Sequence, residues 1–216
     1  MQRDGIYGMD VPQRLRLWAD ELRAIANEGL NWSNDNPYNQ RRFQRVLRIA
    51  AELLATQDLR DADLIERIYT ENLAHLAAYP GGDAAIFDAD GAILLIQRKD
   101  NRLWAMPGGL LEVGESPAEG TCREVLEEVG IVVEPRTLIG VYDSRLCGSV
   151  TSAHLYQFVF LCRPLDPNAQ PYVTDETLDV GWYAEANLPP LSPGHAKRVP
   201  DAFRFWRGEL KQTLFV

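Results

Sequence analysis

The sequence has few residues of the kinds that form disulfide networks, zinc sites or membrane spans. It contains three cysteines and three histidines in 216 residues. Cys122, Cys147 and Cys162 are odd in number and widely spaced, which argues against a disulfide framework and against a zinc site. The longest apolar runs, such as residues 158–162, fall far short of a membrane span, and the N-terminus carries no apolar signal segment. We therefore expect a cytoplasmic protein with reduced cysteines and no membrane partner.

Positive charge is scarce as well. Lys and Arg number 22 against 31 Asp and Glu, which gives a formal net charge of −9 at pH 7. This balance argues against a general nucleic-acid-binding protein, and an enzyme of this charge that acts on phosphates would need a metal ion. His154 and His195 are far apart without ligand spacing, so we expect them at the surface or hydrogen-bonded in the core. No serine or cysteine lies in the turn that presents a catalytic nucleophile.

The first part of the chain has a helical pattern. Apolar residues recur at helical spacing at Leu15, Trp18, Leu22 and Ile25. Two further helical patterns follow, over about residues 43–53 and about residues 61–75. The run Pro80-Gly81-Gly82 then interrupts the pattern. These signals predict a small helical domain at residues 1–80 and a second domain at residues 81–216.

Beyond this boundary, apolar and polar residues alternate as they do in strands. Residues 84–88 and 92–97 are separated by Asp90-Gly91, a typical tight-turn pair, so we expect a hairpin. Later strands are expected at residues 137–145, 153–162 and 179–183, and a C-terminal helix at about 195–210. These strands predict a mixed sheet.

One helix between the strands is specified in detail by the sequence. Ser116, Pro117 and Glu119 supply an N-cap, a proline at the first helical position and a capping-box acid. Gly130 ends the helix. The apolar residues of this segment fall on one narrow seam, formed by Ala118, Cys122, Val125 and Val129. We expect this seam to face the core.

The opposite side of the same helix gathers acids. Glu124, Glu127 and Glu128 are spaced i, i+3 and i+4, so their like charges repel by a few tenths of a kcal/mol per pair. Arg123 can neutralise Glu127 at i, i+4, and a divalent cation would offset the remaining repulsion. Oxygen ligands without nearby His or paired Cys favour Mg²⁺ or Mn²⁺ over Zn²⁺. A cluster of this kind, taken alone, is more often a solvated acidic face than a metal site. The neighbouring residues must therefore decide between these two interpretations.

Those neighbours follow the pattern G-x5-E-x7-R-E-U-x-E-E-x-G-U, where U is apolar. The fixed positions are Gly109, Glu115, Arg123, Glu124, Glu127, Glu128 and Gly130, with Val125 and Ile131 at the apolar positions. The segment resembles the signature of the Nudix hydrolases at every fixed position. The resemblance implies a loop-helix-loop site on an α/β/α sandwich with a mixed sheet. It also implies hydrolysis of a nucleoside diphosphate linked to another group X, giving a nucleoside monophosphate and phospho-X.

The resemblance assigns roles to individual residues. It implies that Glu124, Glu127 and Glu128 bind Mg²⁺ or Mn²⁺, and that the Gly108 carbonyl is a further ligand. The catalytic set would comprise Glu124, Glu128, Arg123, which orients the acids, and Glu115, which supports them from the loop. Family members place the general base either in this segment or on a distal loop.

For this chain the first candidate for the general base is a glutamate of the signature segment. The distal candidate is Glu176, next to Asp175, just before the last strand. Substrate contacts are expected upstream, where Arg98 ends a strand close to the metal helix and can bind phosphate. Trp104 could stack on a base or pack in the core.

The N-terminal part is similar to one branch of the family, the Nudix enzymes with an N-terminal helical domain that include the CDP-choline pyrophosphatases. Members of this branch are dimers, which implies that residues 1–80 form a homodimer interface. The resemblance places CDP-choline ahead of ADP-ribose as substrate. Two other classes stay open, namely a triphosphatase for oxidised nucleotides and a non-catalytic Nudix sensor of a metabolite.

Overall fold

We analysed a computed structural model of the chain, which describes residues 10–32, 36–72, 77–112, 114–149 and 154–216. The chain divides into two compact units, Met1–Ala78 and Tyr79–Val216. No helix in these described ranges is long and apolar enough to cross a membrane.

The first unit contains three helices, α1 (Val11–Trp32), α2 (Pro37–Ala55) and α3 (Ala62–Glu71). The side chain of Asn36 caps α2, and that of Asp61 caps α3 by accepting a hydrogen bond from the Leu64 amide. The structure gives α3 up to Glu71, and its predicted end near residue 75 lies outside the described residues. A small core of six buried residues holds the unit together, namely Ala26, Leu47, Ala50, Ala51, Ile65 and Tyr69.

Only part of the apolar stripe that predicted α1 packs in the core of this unit. Leu22 packs against that core, and Leu17, Ala19 and Ala26 are buried, whereas Trp18 is 42% exposed and Ile25 is 54% exposed. The helix α1 therefore leaves two large apolar side chains of the predicted stripe facing outward.

The second unit contains two sheets. One has five strands in the order β4-β1-β6-β5-β8, and the other has three in the order β3-β2-β7. The strands are β1 (Tyr79–Ile86), β2 (Ile93–Arg98), β3 (Trp104–Ala105), β4 (Gly108–Leu110), β5 (Val133–Asp143), β6 (Leu155–Pro164), β7 (Thr177–Tyr183) and β8 (Leu214–Phe215). Strand β1 pairs with β6 in parallel and with β4 antiparallel. The predicted mixed sheet is confirmed.

The predicted hairpin needs correction, because β1 and β2 lie in different sheets. The chain makes the expected tight turn, in which the Asp88 amide donates to the Ala92 carbonyl, but only the bridge between Phe87 and Ile93 joins the two strands. Residues 81–86 and 93–96 are all buried, so each strand is covered on both faces. Strands buried on both faces read as continuous apolar runs and need packing partners on each side. The two strands diverge after the turn to obtain them.

Two helices cover the five-stranded sheet, α4 (Pro117–Val129) on one face and α5 (His195–Trp206) on the other. Successive residues of β1 alternate between the two resulting cores: Ala84 and Ile86 pack in the core that contains Val125 of α4, and Ala85 packs in the core that contains Phe203 of α5. This arrangement confirms the α/β/α class.

The predicted ends of α4 are also confirmed. The capping box of Ser116 and Glu119 is formed, and Gly130 ends the helix with φ 72°. A left-handed φ of this kind strains any residue with a Cβ, so glycine is required there. The helix α5 ends at Trp206, before the predicted residue 210.

Candidate active site

Arg123 on α4 holds together the acids of the signature segment. Its Nε donates to Glu115 Oε1 at 2.6 Å and its Nη2 donates to Glu115 Oε2 at 3.0 Å. Its Nη1 donates to Glu124 Oε1 at 2.9 Å and to Glu127 Oε2 at 2.8 Å. The guanidinium of Arg123 lowers the pKa of Glu115 below its usual value, helped by the Glu112 amide. One cation thus balances part of the charge of three carboxylates.

Two of those carboxylates meet a third acid from a distant part of the sequence. Oxygens of Glu124, Glu127 and Glu176 all lie within 4.8 Å of one another. Burial raises the pKa of Glu124, and the Arg123 hydrogen bond opposes this shift. Three carboxylates this close together form an all-oxygen ligand set of the kind that Mg²⁺ and Mn²⁺ prefer.

Glu128, the third predicted ligand on α4, lies apart from this group. Its Oε2 accepts a hydrogen bond from the Gly108 amide at 2.7 Å. Burial raises the pKa of Glu128 to about 8, the Gly108 hydrogen bond opposes the shift, and the carboxylates of Glu124 and Asp83 add to it. In this arrangement Glu128 ties the strand β4 to α4 rather than joining Glu124 and Glu127.

Gly109 allows α4 to approach β4 closely. A Cβ at this position would lie 2.5 Å from Glu124 Oε2 and 2.6 Å from Glu124 Cδ. Any other residue would displace the Glu124 carboxylate or the strand. The glycine at this position of the signature is therefore explained by the space that the carboxylate occupies.

The last turn of α4 positions Glu176. The hydroxyls of Thr174 and Thr177 donate to the Glu128 backbone carbonyl at 3.1 Å and 3.3 Å. The Glu176 amide donates to Thr174 Oγ1 at 3.2 Å, and the Lys99 ammonium donates to the Asp175 carbonyl. Carbonyls at a helix C-terminus lack intrahelical partners, so they are available to anchor this loop.

A pocket of about 730 Å³ lies beside β4, with Gly108 and Gly109 in its wall. Arg98 also lines it and pairs with Asp100 through hydrogen bonds of 3.0 Å and 2.9 Å. The predicted phosphate-binding residue therefore lies next to β4, and its charge is partly balanced by a neighbouring acid.

Three further residues of this pocket were not predicted as functional. Asp83 and Arg198 form a buried ion pair, with 3.0 Å between Arg198 Nε and Asp83 Oδ2 and side chains 4% and 3% exposed. Nδ1 of His195 accepts a hydrogen bond from the Met106 amide at 3.2 Å, and burial lowers the pKa of His195 well below its usual value. The sequence contained one signal of this ion pair. Asp83 lies within an apolar strand, where a charged side chain has no solvent-exposed face to occupy.

Trp104 is in the core rather than in the pocket wall. It is 9% exposed and packs edge-to-face against Tyr183, with 4.8 Å between the ring centroids and an interplanar angle of 69°. Trp182 packs against the core on the α4 side of the sheet. Neither indole is therefore offered as a stacking surface beside Arg98.

Comparison with known protein families matches both units. The profile of the NUDIX domain matches residues 80–202. The profile described as "UDP-X-like, N-terminal oligomerisation domain" matches residues 13–69. The helical unit is thus similar to domains that assemble chains into oligomers.

Three individual proteins illustrate the similarity. The chain is 31% identical over 200 residues to a putative ADP-ribose pyrophosphatase, YjhB, of Bacillus subtilis (strain 168), covering 91% of this chain and 94% of that protein. The crystal structure of an ADP-ribose pyrophosphatase from Streptococcus suis 89-1591 matches with a TM-score of 0.57 and 30% identity, over 65% of this chain and 100% of that chain. The crystal structure of a UDP-X diphosphatase matches with a TM-score of 0.59 and 24% identity, over 93% of this chain and 97% of that chain, and shares the fold.

Proposed function

The chain belongs to the Nudix hydrolase family, and we propose on that basis that it hydrolyses the pyrophosphate bond of a nucleoside diphosphate linked to a group X. The products would be a nucleoside monophosphate and phospho-X. The observation that carries the proposal is the group of Glu124, Glu127 and Glu176, with oxygens within 4.8 Å of one another. Gly109 of β4 lies against the Glu124 carboxylate and also lines a pocket of about 730 Å³, so this group and the pocket share a neighbour.

We propose that this group holds Mg²⁺ or Mn²⁺. The oxygen-only donor set fits a hard cation, and Glu127 and Glu176 are exposed, so their oxygens are accessible. Glu128 is a further proposed ligand, once its carboxylate turns from the Gly108 amide, and the carbonyl of Gly108 is another. When bound, such an ion neutralises phosphate oxygens and acidifies a water molecule.

The protein groups would position the reacting atoms. Arg123 fixes the directions of Glu115, Glu124 and Glu127 through charged hydrogen bonds. Charged hydrogen bonds of this kind are shorter and stronger than neutral ones, so the carboxylates are held in place before the substrate arrives. Arg98 extends into the pocket and is the proposed contact for a phosphate of the substrate.

For the general base we propose Glu128 first and Glu176 second. Burial raises the pKa of Glu128 to about 8 in the metal-free site, and a base with a pKa near the working pH accepts a proton most effectively. In this role Glu128 keeps its contact with the Gly108 amide, and the metal is held by the other carboxylates. Glu176 belongs to the carboxylate group but is exposed. Comparing Glu128→Gln with Glu176→Gln by kcat and its pH profile separates them, because loss of the base removes the acidic limb of the profile.

The relatives bear on the identity of X. Two of the similar proteins are named as ADP-ribose pyrophosphatases, and each is at least 30% identical to this chain. CDP-choline is the substrate that the N-terminal resemblance favours. We propose ADP-ribose and CDP-choline as the two substrates to compare first, with ADP-ribose supported by the named relatives.

The deciding experiment is a substrate panel with identified products. ADP-ribose, CDP-choline, UDP-glucose and oxidised dGTP are incubated with Mg²⁺ or Mn²⁺, and the products are separated by chromatography. A mononucleotide together with phospho-X supports the proposal. Pyrophosphate released from the triphosphate at a higher kcat/KM would identify a triphosphatase instead, and tight binding without turnover would identify a sensor.

We also propose that the helical unit forms a homodimer. It matches an oligomerisation domain, and α1 exposes Trp18 and Ile25. Large apolar side chains in one exposed row are typical of surfaces that a partner covers.

A further inference from the structure

The pocket beside β4 presents hydrogen-bond donors that have no acceptor in the protein. Arg198 is 4% exposed in its side chain and lines this pocket. Its Nε faces Asp83 without the alignment of a hydrogen bond. No described residue accepts a hydrogen bond from its Nη groups, so the small exposed part of the guanidinium opens onto the pocket. A buried guanidinium with unpaired donors indicates a ligand that supplies acceptors.

His195 adds a second donor of defined direction. Its Nδ1 accepts the Met106 amide hydrogen bond, so the ring hydrogen of the neutral imidazole is on Nε2. Burial and the nearby arginines lower the pKa of His195 well below its usual value, so the ring stays neutral. Nothing in the described part of the chain accepts from Nε2, and His195 lines the same pocket.

Gln157 of β6 also lines the pocket, but its Oε1 is buried against Gly81 and is not presented to a ligand. The groups that face this volume without a partner are therefore the donors of Arg198 and His195. A hydroxyl oxygen accepts hydrogen bonds, so a group that carries several hydroxyls satisfies these donors.

Charge and aromatic content argue against a quaternary ammonium in this pocket. Its charged lining residues are paired, Asp83 with Arg198 and Asp100 with Arg98, so no lining acid is left to attract a cation. Tyr79 is the only Phe, Tyr or Trp among its described lining residues, so it offers no aromatic cage. Recognition of a quaternary ammonium commonly uses such a cage.

The same lining argues against a nucleobase. A base presents flat faces that stack on aromatic side chains, and a single tyrosine at the rim offers little stacking surface. A sugar ring or polyol instead exposes hydroxyls around its edge. The pocket is therefore suited to the X half of the substrate.

We propose that Arg198 and His195 are specificity-determining residues that bind the hydroxyl groups of a sugar or polyol X. This inference rests on the proposed hydrolysis of a nucleoside diphosphate linked to X. A trimethylammonium group would displace water from the Arg198 and His195 donors without replacing its hydrogen bonds. A binding site built to hydrogen-bond a hydroxyl discriminates strongly against an analogue that lacks it.

The test uses substrate pairs that differ only in X, namely ADP-ribose against ADP-choline and CDP-glycerol against CDP-choline. We expect the wild-type kcat/KM to favour the hydroxylated member of each pair by at least about tenfold. Arg198→Lys keeps the positive charge opposite Asp83 but lacks the paired Nη donors. His195→Asn keeps an acceptor near the Met106 amide and lacks the Nε2 hydrogen. Each variant should reduce the preference by about fivefold or more, mainly through a higher KM for the hydroxylated substrate.

Arg204→Lys is the matched control, because Arg204 is on the same helix, pairs with Asp201 and does not line the pocket. It should leave the preference unchanged.

Thermal melts check that Arg198→Lys folds, and His195→Asn gives an independent measurement. A wild-type preference for choline, or one that both variants leave unchanged, would overturn the assignment. If a variant lowered kcat/KM equally for both members of a pair, the pocket would bind the nucleoside they share, and the assignment to X would be wrong. Absence of turnover on every diphosphate ester would instead refute the proposed function, and this assignment with it.

Discussion

At the scale of single residues, Arg123 explains how three acids can lie together on and beside one helix. Glu115, Glu124 and Glu127 all accept hydrogen bonds from its guanidinium. Its planar fork matches carboxylate geometry, which a lysine ammonium cannot do. Glu128 receives no such contact; the Gly108 amide donates to it, and the charge of Arg98 also favours its ionised form. The two kinds of carboxylate should therefore respond differently to substitution and to pH.

We predict that Glu127→Gln and Glu128→Gln each lower kcat by at least about a hundredfold, the scale measured for loss of one electrostatic catalytic group. Glu127→Gln removes a negative charge at neutral pH and Glu128→Gln removes one above about pH 8, so in each case the metal-free fold should be intact or slightly more stable. Activity assays and thermal melts with and without Mg²⁺ test this. Glu119→Gln is the control, because it is on the same helix and glutamine also completes a capping box. Full activity of Glu128→Gln would refute its place in the site.

Glu128 also predicts a pH dependence of stability. Its pKa is about 8 in the folded protein against 4.5 for an unperturbed glutamate. A raised folded-state pKa stabilises the fold fully below the unfolded pKa, and this contribution is lost as the pH rises through the folded pKa. The metal-free protein should therefore lose up to a few kcal/mol of unfolding free energy between about pH 5 and about pH 9, since one pKa unit is about 1.4 kcal/mol.

Urea unfolding at several pH values in a chelator measures this loss. The Glu128→Gln variant should have a flatter pH profile, because it carries no ionisable group at this position. Mg²⁺ should restore more stability at pH 8 than at pH 6, since metal ligands bind in their ionised form. A variant that kept the wild-type slope would show that another group causes the loss.

At the scale of elements, α4 is anchored at both ends to the loops that carry the site. Its N-terminal capping box follows the loop of Glu115, and its last turn accepts hydrogen bonds from Thr174 and Thr177. The helix therefore fixes Glu176 relative to Glu124, although these residues are far apart in sequence. Because Glu176 is exposed, its position depends on the hydroxyl groups of Thr174 and Thr177 rather than on packing.

We predict that Thr174→Val lowers kcat several-fold while reducing stability by only about 1 kcal/mol, the usual contribution of one hydrogen bond. The variant keeps the shape of the side chain but cannot donate to the Glu128 carbonyl or accept from the Glu176 amide. Thr213→Val is the matched control, because Thr213 makes a similar bond to the Leu138 carbonyl away from the site. It should show the same loss of stability by denaturation with unchanged kcat. Equal kcat in both variants would mean that the Thr174 hydrogen bonds are not needed to position Glu176 for catalysis.

At the scale of the whole molecule, α1 exposes a row of apolar residues. Val11, Trp18 and Ile25 are 56%, 42% and 54% exposed and follow one another at intervals of seven residues. Positions seven apart lie on nearly the same side of a helix. A row of this kind is typical of a helix that packs against a partner helix.

We predict that the double substitution Trp18→Glu and Ile25→Glu converts a dimer into a monomer. Both side chains are exposed within the chain, so the substitutions should leave helix content unchanged while placing charges in the interface. Sedimentation velocity measures the mass, and circular dichroism measures the helix content. Val132→Glu, at an exposed position of the second unit, is the control and should remain dimeric. A double variant that stayed dimeric would locate the interface elsewhere.

Truncation gives a second test of the same assignment. Because β1 begins at Tyr79 and pairs with β6 from its first residue, the shortened chain should begin at residue 77 rather than near Gly82. It should be monomeric or insoluble. A well-behaved dimer of this shortened chain would refute the role of the helical unit.

The sequence by itself determined the features that depend on short-range spacing. The capping box, the glycine that ends α4 and the acids at i, i+3 and i+4 are set by residues within one or two helical turns. The individual helices and strands follow for the same reason, since their periods are local; the α/β class was implied by the family resemblance. The family resemblance was also visible, because its fixed residues lie within a single segment.

Only the tertiary structure decided which distant residues meet. Glu176 joins Glu124 and Glu127 because a loop is hydrogen-bonded to the end of α4, and Glu128 turns away because β4 presents an amide to it. The buried pair of Asp83 and Arg198 depends on α5 packing over β1. Whether a charge is buried, and opposite which partner, depends on how layers stack, and local periodicity carries no information about that contact. For the same reason the tight turn after β1 was predictable, whereas the separation of β1 and β2 into two sheets was not.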